Sequence, residues 1–360
     1  MKGLILAGGR GTRLRPLTHT RAKQLVPVAN TPILFYGLAH MAEAGITDVG
    51  VIIGETGAEV RAAVGDGSRW GIDVTYLPQD EPLGLAHCIQ VAGPFLGADD
   101  VVMYLGDNML QHGLRGLVDA AAADRHRGTD APAARVLLSR VADPRRFGVA
   151  ELGPGGQVVR VVEKPEHPAS DLALTGAYLF TPAIHDAVAA IVPSPRGELE
   201  IADALQWLID QGHGVAHELF TGWWLDTGKK DSLLEANRRV LGTLDPRTDG
   251  SVDGSSSIEG RVVIEAGAEV INSVVRGPAI IGPGAKVVDS RVGPHVAVGP
   301  GVLIEATTVE DTVLLDRVHL RGVPRLVESL VGRDAEVVRT GRAPGSTRLM
   351  VSDDSSVELP

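Results

Sequence analysis

Gly3-Leu4-Ile5-Leu6-Ala7-Gly8-Gly9-Arg10-Gly11-Thr12-Arg13-Leu14 decides how the rest of the chain is read. Leu4, Ile5, Leu6 and Ala7 are apolar in succession, enough for one strand buried on both faces of a parallel sheet. Gly8, Gly9 and Gly11 follow at once. A backbone without Cβ can take φ > 0 and admit a ligand closely, and successive N–H groups in such a loop can face inward around an anion. Arg10 and Arg13 stand in or just after the loop, and Lys23 follows in Ala22-Lys23-Gln24-Leu25-Val26-Pro27. A strand, a glycine loop and three cations read as a nucleotide-phosphate site. The dinucleotide fingerprint G-x-G-x-x-G fails at Leu14, and no lysine follows the loop at P-loop spacing. A glycine turn that only joins strand to helix is the plain alternative.

Working outward, the spacing predicts a helix over 32–44, a buried strand over 49–53, a helix over 55–64 and a strand over 74–77. This rhythm predicts a parallel sheet with right-handed crossovers, whose ligands lie beyond the carboxyl ends of the strands. The glycine loop follows the first strand and Gln79 the third, so both fall on that edge. In Val101-Val102-Met103-Tyr104-Leu105-Gly106-Asp107-Asn108 an apolar strand runs directly into Gly-Asp and leaves one carboxylate there. Mg²⁺ takes oxygen ligands, commonly one or two carboxylates plus substrate phosphates. An isolated Asp after a strand is also an ordinary cap or turn residue. Trp224-Leu225-Asp226-Thr227-Gly228 offers a second carboxylate far down the chain.

The run Gly8-Gly9-Arg10-Gly11-Thr12-Arg13-Leu14 with Lys23-Gln24-Leu25-Val26-Pro27-Val28 resembles the start of the sugar-1-phosphate nucleotidylyltransferases, whose signature is G-G-x-G-T-R-L followed by a lysine. Among these the chain is similar to the long form of the glucose-1-phosphate thymidylyltransferases, found with deoxysugar pathways of antibiotic producers. The resemblance implies a mostly parallel, Rossmann-like α/β nucleotidyltransferase domain followed by a left-handed parallel β-helix. It also implies the reaction of dTTP with glucose 1-phosphate to give dTDP-glucose and pyrophosphate.

By the same resemblance, Leu6, Gly8, Gly9, Gly11, Thr12, Arg13 and Lys23 would hold the nucleotide, with Arg13, Lys23 and Lys164 as the catalytic cations. In Gln79-Asp80-Glu81-Pro82-Leu83-Gly84-Leu85-Ala86, Gln79 and Gly84 match the positions that recognise a pyrimidine; an amide supplies both a donor and an acceptor to a base edge. Leu-Gly-Asp-Asn and Trp-x-Asp-Thr-Gly match the metal positions, which assigns Mg²⁺ to Asp107 and Asp226. Leu85, Asn108, Gly148, Glu163, Lys164, Leu174 and Arg196 would form the sugar-phosphate side. They stand in Arg146-Phe147-Gly148-Val149-Ala150, Glu163-Lys164-Pro165, Leu174-Thr175-Gly176 and Arg196-Gly197-Glu198-Leu199-Glu200-Ile201. A guanidinium fork suits a phosphate, whereas Glu-Lys-Pro alone is a common solvated strand end. Many relatives carry Tyr where this chain has Phe147, and Thr where it has Ala202.

Helical patterns are expected over 203–211 and 231–241. Residues 242–251 have few aliphatics and read as a linker. Beyond it aliphatics recur every six residues: Val252, Ile258, Ile264 and Val270, then, after a one-residue slip, Val275, Ile281 and Val287, then Val292, Val298 and Ile304. Gly-Pro turns punctuate the run. A hexapeptide period with an aliphatic at each step marks a parallel β-helix, with a β-sandwich as the alternative. The expected domains are therefore 1–241, a linker at 242–251 and a β-helix over 252–360, ending in a polar tail from 349.

The formal charge of −11 argues against a nucleic-acid partner, which needs a basic footprint. It also makes the clustering of Arg10, Arg13 and Lys23 more informative. The single cysteine, Cys88, excludes an intramolecular disulfide and a cysteine-based zinc site. No stretch approaches the ~20 apolar residues of a membrane span, and the N-terminus lacks a signal-peptide pattern. A cytoplasmic homo-oligomer acting on a nucleoside triphosphate and a sugar 1-phosphate is the expectation. Two rivals stay open: the same chemistry on another nucleotide or sugar or cyclitol phosphate, and an acyltransferase or non-catalytic regulatory paralogue. His295 and His319 are the tail's candidate bases for an acyltransferase, and a surface histidine is the default for both.

Overall fold

Lys2–Leu6 is the centre of a nine-stranded sheet. Asp48–Ile53 and Val101–Leu105 flank it in parallel, and Asp73–Pro78 lies parallel beyond Asp48–Ile53. Alternation along this strand explains the layers. Leu4 and Leu6 pack with residues of the helices Leu85–Leu96, Ile184–Ala190 and Ile201–Asp210. Ile5 and Ala7 pack with residues of Ile33–Glu43, Gly57–Val64 and Arg115–Asp124. A strand apolar at consecutive positions is what a sheet covered on both faces requires. The other half of the sheet enters antiparallel. Leu172–Phe180, buried at every position, runs against Val101–Leu105 and carries Ala134–Arg140 and Gly148–Leu152. Val158–Glu163 pairs with Gly148–Leu152, and Val215–Leu219 runs parallel to Ala134–Arg140.

The computed structural model describes residues 1–19, 21–124, 131–339 and 353–358; the start of the polar tail at 349 lies outside them. The chain divides into two units, one comprising Met1–Arg10, Thr20–Leu25 and Ile33–Asp226, the other Gly11–His19, Val26–Pro32 and Thr227–Pro360. The division by contact falls after Asp226. The helix Lys230–Leu241 belongs with the second unit because its polar residues are used there. Buried Asn237 accepts from Ala29 N–H at 2.9 Å and donates to the His295 carbonyl at 3.3 Å, and Arg238 pairs with Asp311.

The second unit contains a left-handed parallel β-helix of short strands stacked into three sheets. Val262 lies beside Ala279 and Ala279 beside Val296, so a coil closes in seventeen residues, one short of three hexapeptides. That shortfall is the slip seen in the sequence period. Ile264, Ile281 and Val298 stack at 0 % exposure, as do Val270, Val287 and Ile304. The expected linker is a correction. Arg247–Thr248 and Ser251–Val252 already pair with the next coil, so stacking begins at 247. An end coil is covered on one side only and needs little apolar sequence, which is why the period does not reveal it. At one corner a ladder of hydroxyls carries the backbone: Ser256, Ser273, Ser290 and Thr307 accept in turn from the N–H of Ser273, Ser290, Thr307 and Val323 at 3.0–3.1 Å. Buried amides must be paired, and the same residue type repeated once per coil does this. No helix among the described residues is long and apolar enough to cross a membrane.

Candidate active site

Three groups of polar residues gather in the first unit where the strands end. The first surrounds the glycine loop. Ala7 N–H still donates to the Ile52 carbonyl at 2.8 Å, and Gly8 follows so close to Gln79 that a Cβ on it would lie 3.4 Å from Oε1. Gln79 is tied by its own N–H to Ile53 O at 2.8 Å, and its Nε2 lies 3.0 Å from His87 Nδ1. Gly84 has φ +106°, and a Cβ there would fall 2.4 Å from the Leu199 carbonyl oxygen. Its lack of a side chain is therefore demanded by backbone packing as the helix opens at Leu85. Arg10 is exposed and paired with Glu55 at 2.8 Å. Gly11, at φ +64°, leads into the 3₁₀ turn Thr12–Leu14, and Thr18 Oγ1 donates to its carbonyl at 2.6 Å. Gly11, Thr12 and Arg13 belong to the second unit, where Thr12 and Arg13 are exposed.

The second group brings the two distant carboxylates together. Asn108–Leu110 pairs antiparallel with Trp224–Asp226, with Asp226 opposite Asn108, so Asp107 and Asp226 arrive side by side. Lys23, 5 % exposed in the 3₁₀ turn Lys23–Leu25, sends its ammonium to Asp107 Oδ2 and lies 3.9 Å from Asp226 Oδ1. Burial pushes the Asp107 pKa up, but the Lys23 charge and the hydrogen bonds from Lys23 and Asn108 outweigh it and hold the carboxyl below its usual range. Asn108 Nδ2 donates to Asp107 Oδ1 at 2.9 Å, and Asn108 Oδ1 accepts from Trp224 Nε1 at 2.6 Å. Two carboxylate oxygens thus converge on one cationic point. That donor set, all oxygen and only two carboxylates, fits Mg²⁺ completed by phosphates, not a closed protein cage.

The third group lies on the antiparallel side. Gly148 faces Glu163 across the strand pair, and a Cβ there would lie 2.7 Å from Leu174 Cδ1 and 3.1 Å from Glu163 Oε2. Glu163 Oε1 meets Lys164 Nζ at 3.1 Å and Arg196 Nη2 at 3.3 Å. Burial raises the Glu163 pKa, against the pull of Lys164 and Arg196. Lys164 has φ +42°, a conformation fixed by its N–H donating to Phe147 O at 3.0 Å. Arg196 is held by Glu200, whose Oε1 accepts from Nε at 3.2 Å and Nη2 at 2.7 Å.

Each expected residue of the first unit therefore stands in one of these groups, with Leu6 ending the central strand and Leu174 lining the third. Sequence reasoning missed three others. Glu200 orients Arg196 from inside the quoted Arg-Gly-Glu-Leu-Glu-Ile run. Gln24, 2 % exposed, has an amide Oε1 without a hydrogen-bond partner among the described residues, and a Cβ on Gly9 would lie 3.4 Å from its Nε2. Its position directly after Lys23 was the available signal. The third is Trp224, two residues before Asp226 in the Trp-x-Asp-Thr-Gly run. Ala202, the departure from the usual Thr, is fully buried in the helix Ile201–Asp210. His319 pairs with Glu305 at 3.2 Å on the β-helix.

Residues 2–242 match the nucleotidyl transferase family. The whole chain is 52 % identical over 359 residues to a glucose-1-phosphate thymidylyltransferase of Streptomyces griseus, covering 99 % of that protein, and equally to one of Streptomyces antibioticus. A low-salt glycan biosynthesis nucleotidyltransferase of Haloferax volcanii is 42 % identical over 366 residues, with full coverage of both chains. The structure of a UDP-glucose pyrophosphorylase complexed with UDP-glucose shares the fold at TM-score 0.59 and 23 % identity, over 68 % of this chain and 99 % of that one. On the strength of the matched residues and the full-length relatives, this chain belongs to the nucleotidyl transferase family.

Proposed function

We propose that the protein transfers a thymidylyl group from dTTP to glucose 1-phosphate, giving dTDP-glucose and pyrophosphate. The observation that carries this reading is the convergence of Asp107 and Asp226 on the Lys23 ammonium beside the glycine loop. The full-length relatives named glucose-1-phosphate thymidylyltransferase support it. A sugar-phosphate oxygen attacks the α-phosphorus, that P–O bond forms, and the bond to the bridging oxygen of the β-phosphate breaks. The attacking oxygen is already anionic, so no general base is required. The obstacle is repulsion between two polyanions, and positioning with charge neutralisation overcomes it.

In this reading the backbone of Gly8, Gly9 and Gly11 with Thr12 and Arg13 binds the triphosphate, and Arg13 stabilises the departing pyrophosphate. Lys23 neutralises the nucleotide phosphates, while Gln79 reads the pyrimidine edge beside Gly84. Lys164 and Arg196 place the attacking phosphate, and Leu85, Asn108, Gly148, Glu163 and Leu174 shape the sugar side. Asp107 and Asp226 would hold Mg²⁺, which when bound supplies positive charge to the reacting phosphates. Buried Gln24 is added as a polar contact under the loop.

The test is pyrophosphate release with Mg²⁺ and glucose 1-phosphate, run in parallel on dTTP, UTP, GTP, ATP and CTP. Fastest release with dTTP is expected. Turnover with a purine triphosphate alone would overturn Gln79 as base reader and keep the chemistry. Silence with all five, and with other sugar 1-phosphates, would overturn the reading.

A further inference from the structure

Two neighbours with fixed hydrogen-bonding roles decide how the side chain of Asn108 lies. Asn108 is 3 % exposed, and its main-chain carbonyl accepts from Tyr104 O–H at 2.6 Å, so the residue is anchored before its amide chooses a direction. On one side stands Trp224 Nε1, which can only donate; on the other stands the ionised Asp107, which can only accept. With Oδ1 toward Trp224 at 2.6 Å and Nδ2 toward Asp107 Oδ1 at 2.9 Å, both neighbours are satisfied. The flipped amide would set donor against donor and oxygen against carboxylate at once. Trp224 is itself fixed. It lies in the strand Trp224–Asp226 opposite Leu110, and its ring meets Phe147 edge-on with centroids 5.0 Å apart.

We infer that Trp224 is a positioning residue for the metal-binding carboxylate, acting through Asn108. The relay commits Asp107 Oδ1 to the Asn108 amide and turns Oδ2 toward the point where the Lys23 ammonium lies. Without the indole N–H the amide loses its anchor on the far side, so the Asn108 donor to Asp107 Oδ1 is less firmly placed and the carboxylate is less firmly aimed. Partners of this kind orient metal ligands, and losing one typically weakens metal affinity by ~10–100-fold. The inference rests on the reading of Asp107 and Asp226 as the cation site.

The test uses Trp224→Phe, which keeps a ring against Phe147 and removes the N–H donor together with part of the indole, and the Asn108→Ala background separates the two losses. The dissociation constant of Mn²⁺ from the complex of full-length enzyme with dTTP is read by electron paramagnetic resonance, with free Mn·dTTP as reference. About a tenfold weakening is expected in Trp224→Phe, with a rise of similar size in the Mg²⁺ concentration at half-maximal rate and rates partly restored at high Mg²⁺. In the Asn108→Ala background, Trp224→Phe should add nothing, because the relay is already broken. Asp107→Asn separates the two ideas. If it retains Mn²⁺ like the wild type, the cation site is misassigned and the inference falls with it. If Asp107→Asn loses Mn²⁺ while Trp224→Phe binds it like the wild type, the cation site stands and the positioning role is wrong. A Trp224→Phe defect of undiminished size in the Asn108→Ala background would also overturn it.

Discussion

Replacing Lys23 by Met tests the electrostatic core of the site without reference to turnover. The side chain keeps its length and loses its charge, so Asp107 and Asp226 lose the ammonium they share. The structure sets the size of the effect. One unit charge pair at 3.9 Å with an effective dielectric near 20 is worth about 4 kcal/mol, and the direct contact with Asp107 at least as much. Desolvation of the buried ammonium offsets several kcal/mol of this, so removing one partner from such a pair nets ~3–5 kcal/mol. Both carboxylate side chains are 23 % exposed, so water screens part of the repulsion and the lower end applies, about 3 kcal/mol. For a unit of this size that lowers the melting temperature by ~6–12 °C. Mg²⁺ should then recover more stability in Lys23→Met than it adds to the wild type, because the ammonium no longer competes for the same oxygens. The assay is thermal unfolding by circular dichroism with and without MgCl₂. A mutant that melts with the wild type, or a Mg²⁺ response equal in both proteins, would refute the placement of charge.

Three further outcomes follow from the geometry. Glu200→Gln should raise KM for glucose 1-phosphate by about tenfold and leave KM for dTTP unchanged, since a charge-assisted bond of ~1.5–3 kcal/mol orients Arg196; equal changes for both substrates would contradict this. Burial holds the His40 pKa below its ordinary 6.5, with Glu43 pulling it back up, and Nδ1 has no hydrogen-bond partner among the described residues. The unfolded chain therefore binds the extra proton first, and stability falls as pH drops through 6.5 toward the folded value; His40→Gln should flatten that limb of a melting-temperature profile. Cys88, its thiol pushed up to about 12 by burial, should ignore Ellman's reagent at pH 8 in the native protein and react once on unfolding.

What could be read without the structure was whatever is local in the chain. The run from Leu4 to Gly11 declares itself because an apolar strand followed by glycines is a contiguous signal. The β-helix does so because each coil repeats the last, so one period describes the whole. The residues at the strand ends were legible by resemblance, and the first unit collects those it contains into three groups. The missed residues act through side-chain contacts that the folded backbone creates, across the chain for Trp224 and four residues away for Glu200. Trp224 has no role until its strand pairs with Asn108–Leu110, and Glu200 none until its oxygen meets the Arg196 guanidinium. The grouping of the helix Lys230–Leu241 was not legible, because buried Asn237 joins Ala29 to His295, a bond across three segments that composition cannot register.

The strand and glycine loop, the six-residue period and the residue types available for phosphate and cation chemistry depend on neighbours along the chain and are written there. That Asp107, Asp226 and Lys23 share one point, and that Asn108 faces one way, follows from folding alone. Folding also placed stacking at Arg247 and the helix Lys230–Leu241 in the second unit. Those outcomes depend on pairing between distant segments, where the direction of a single donor or charge settles the arrangement.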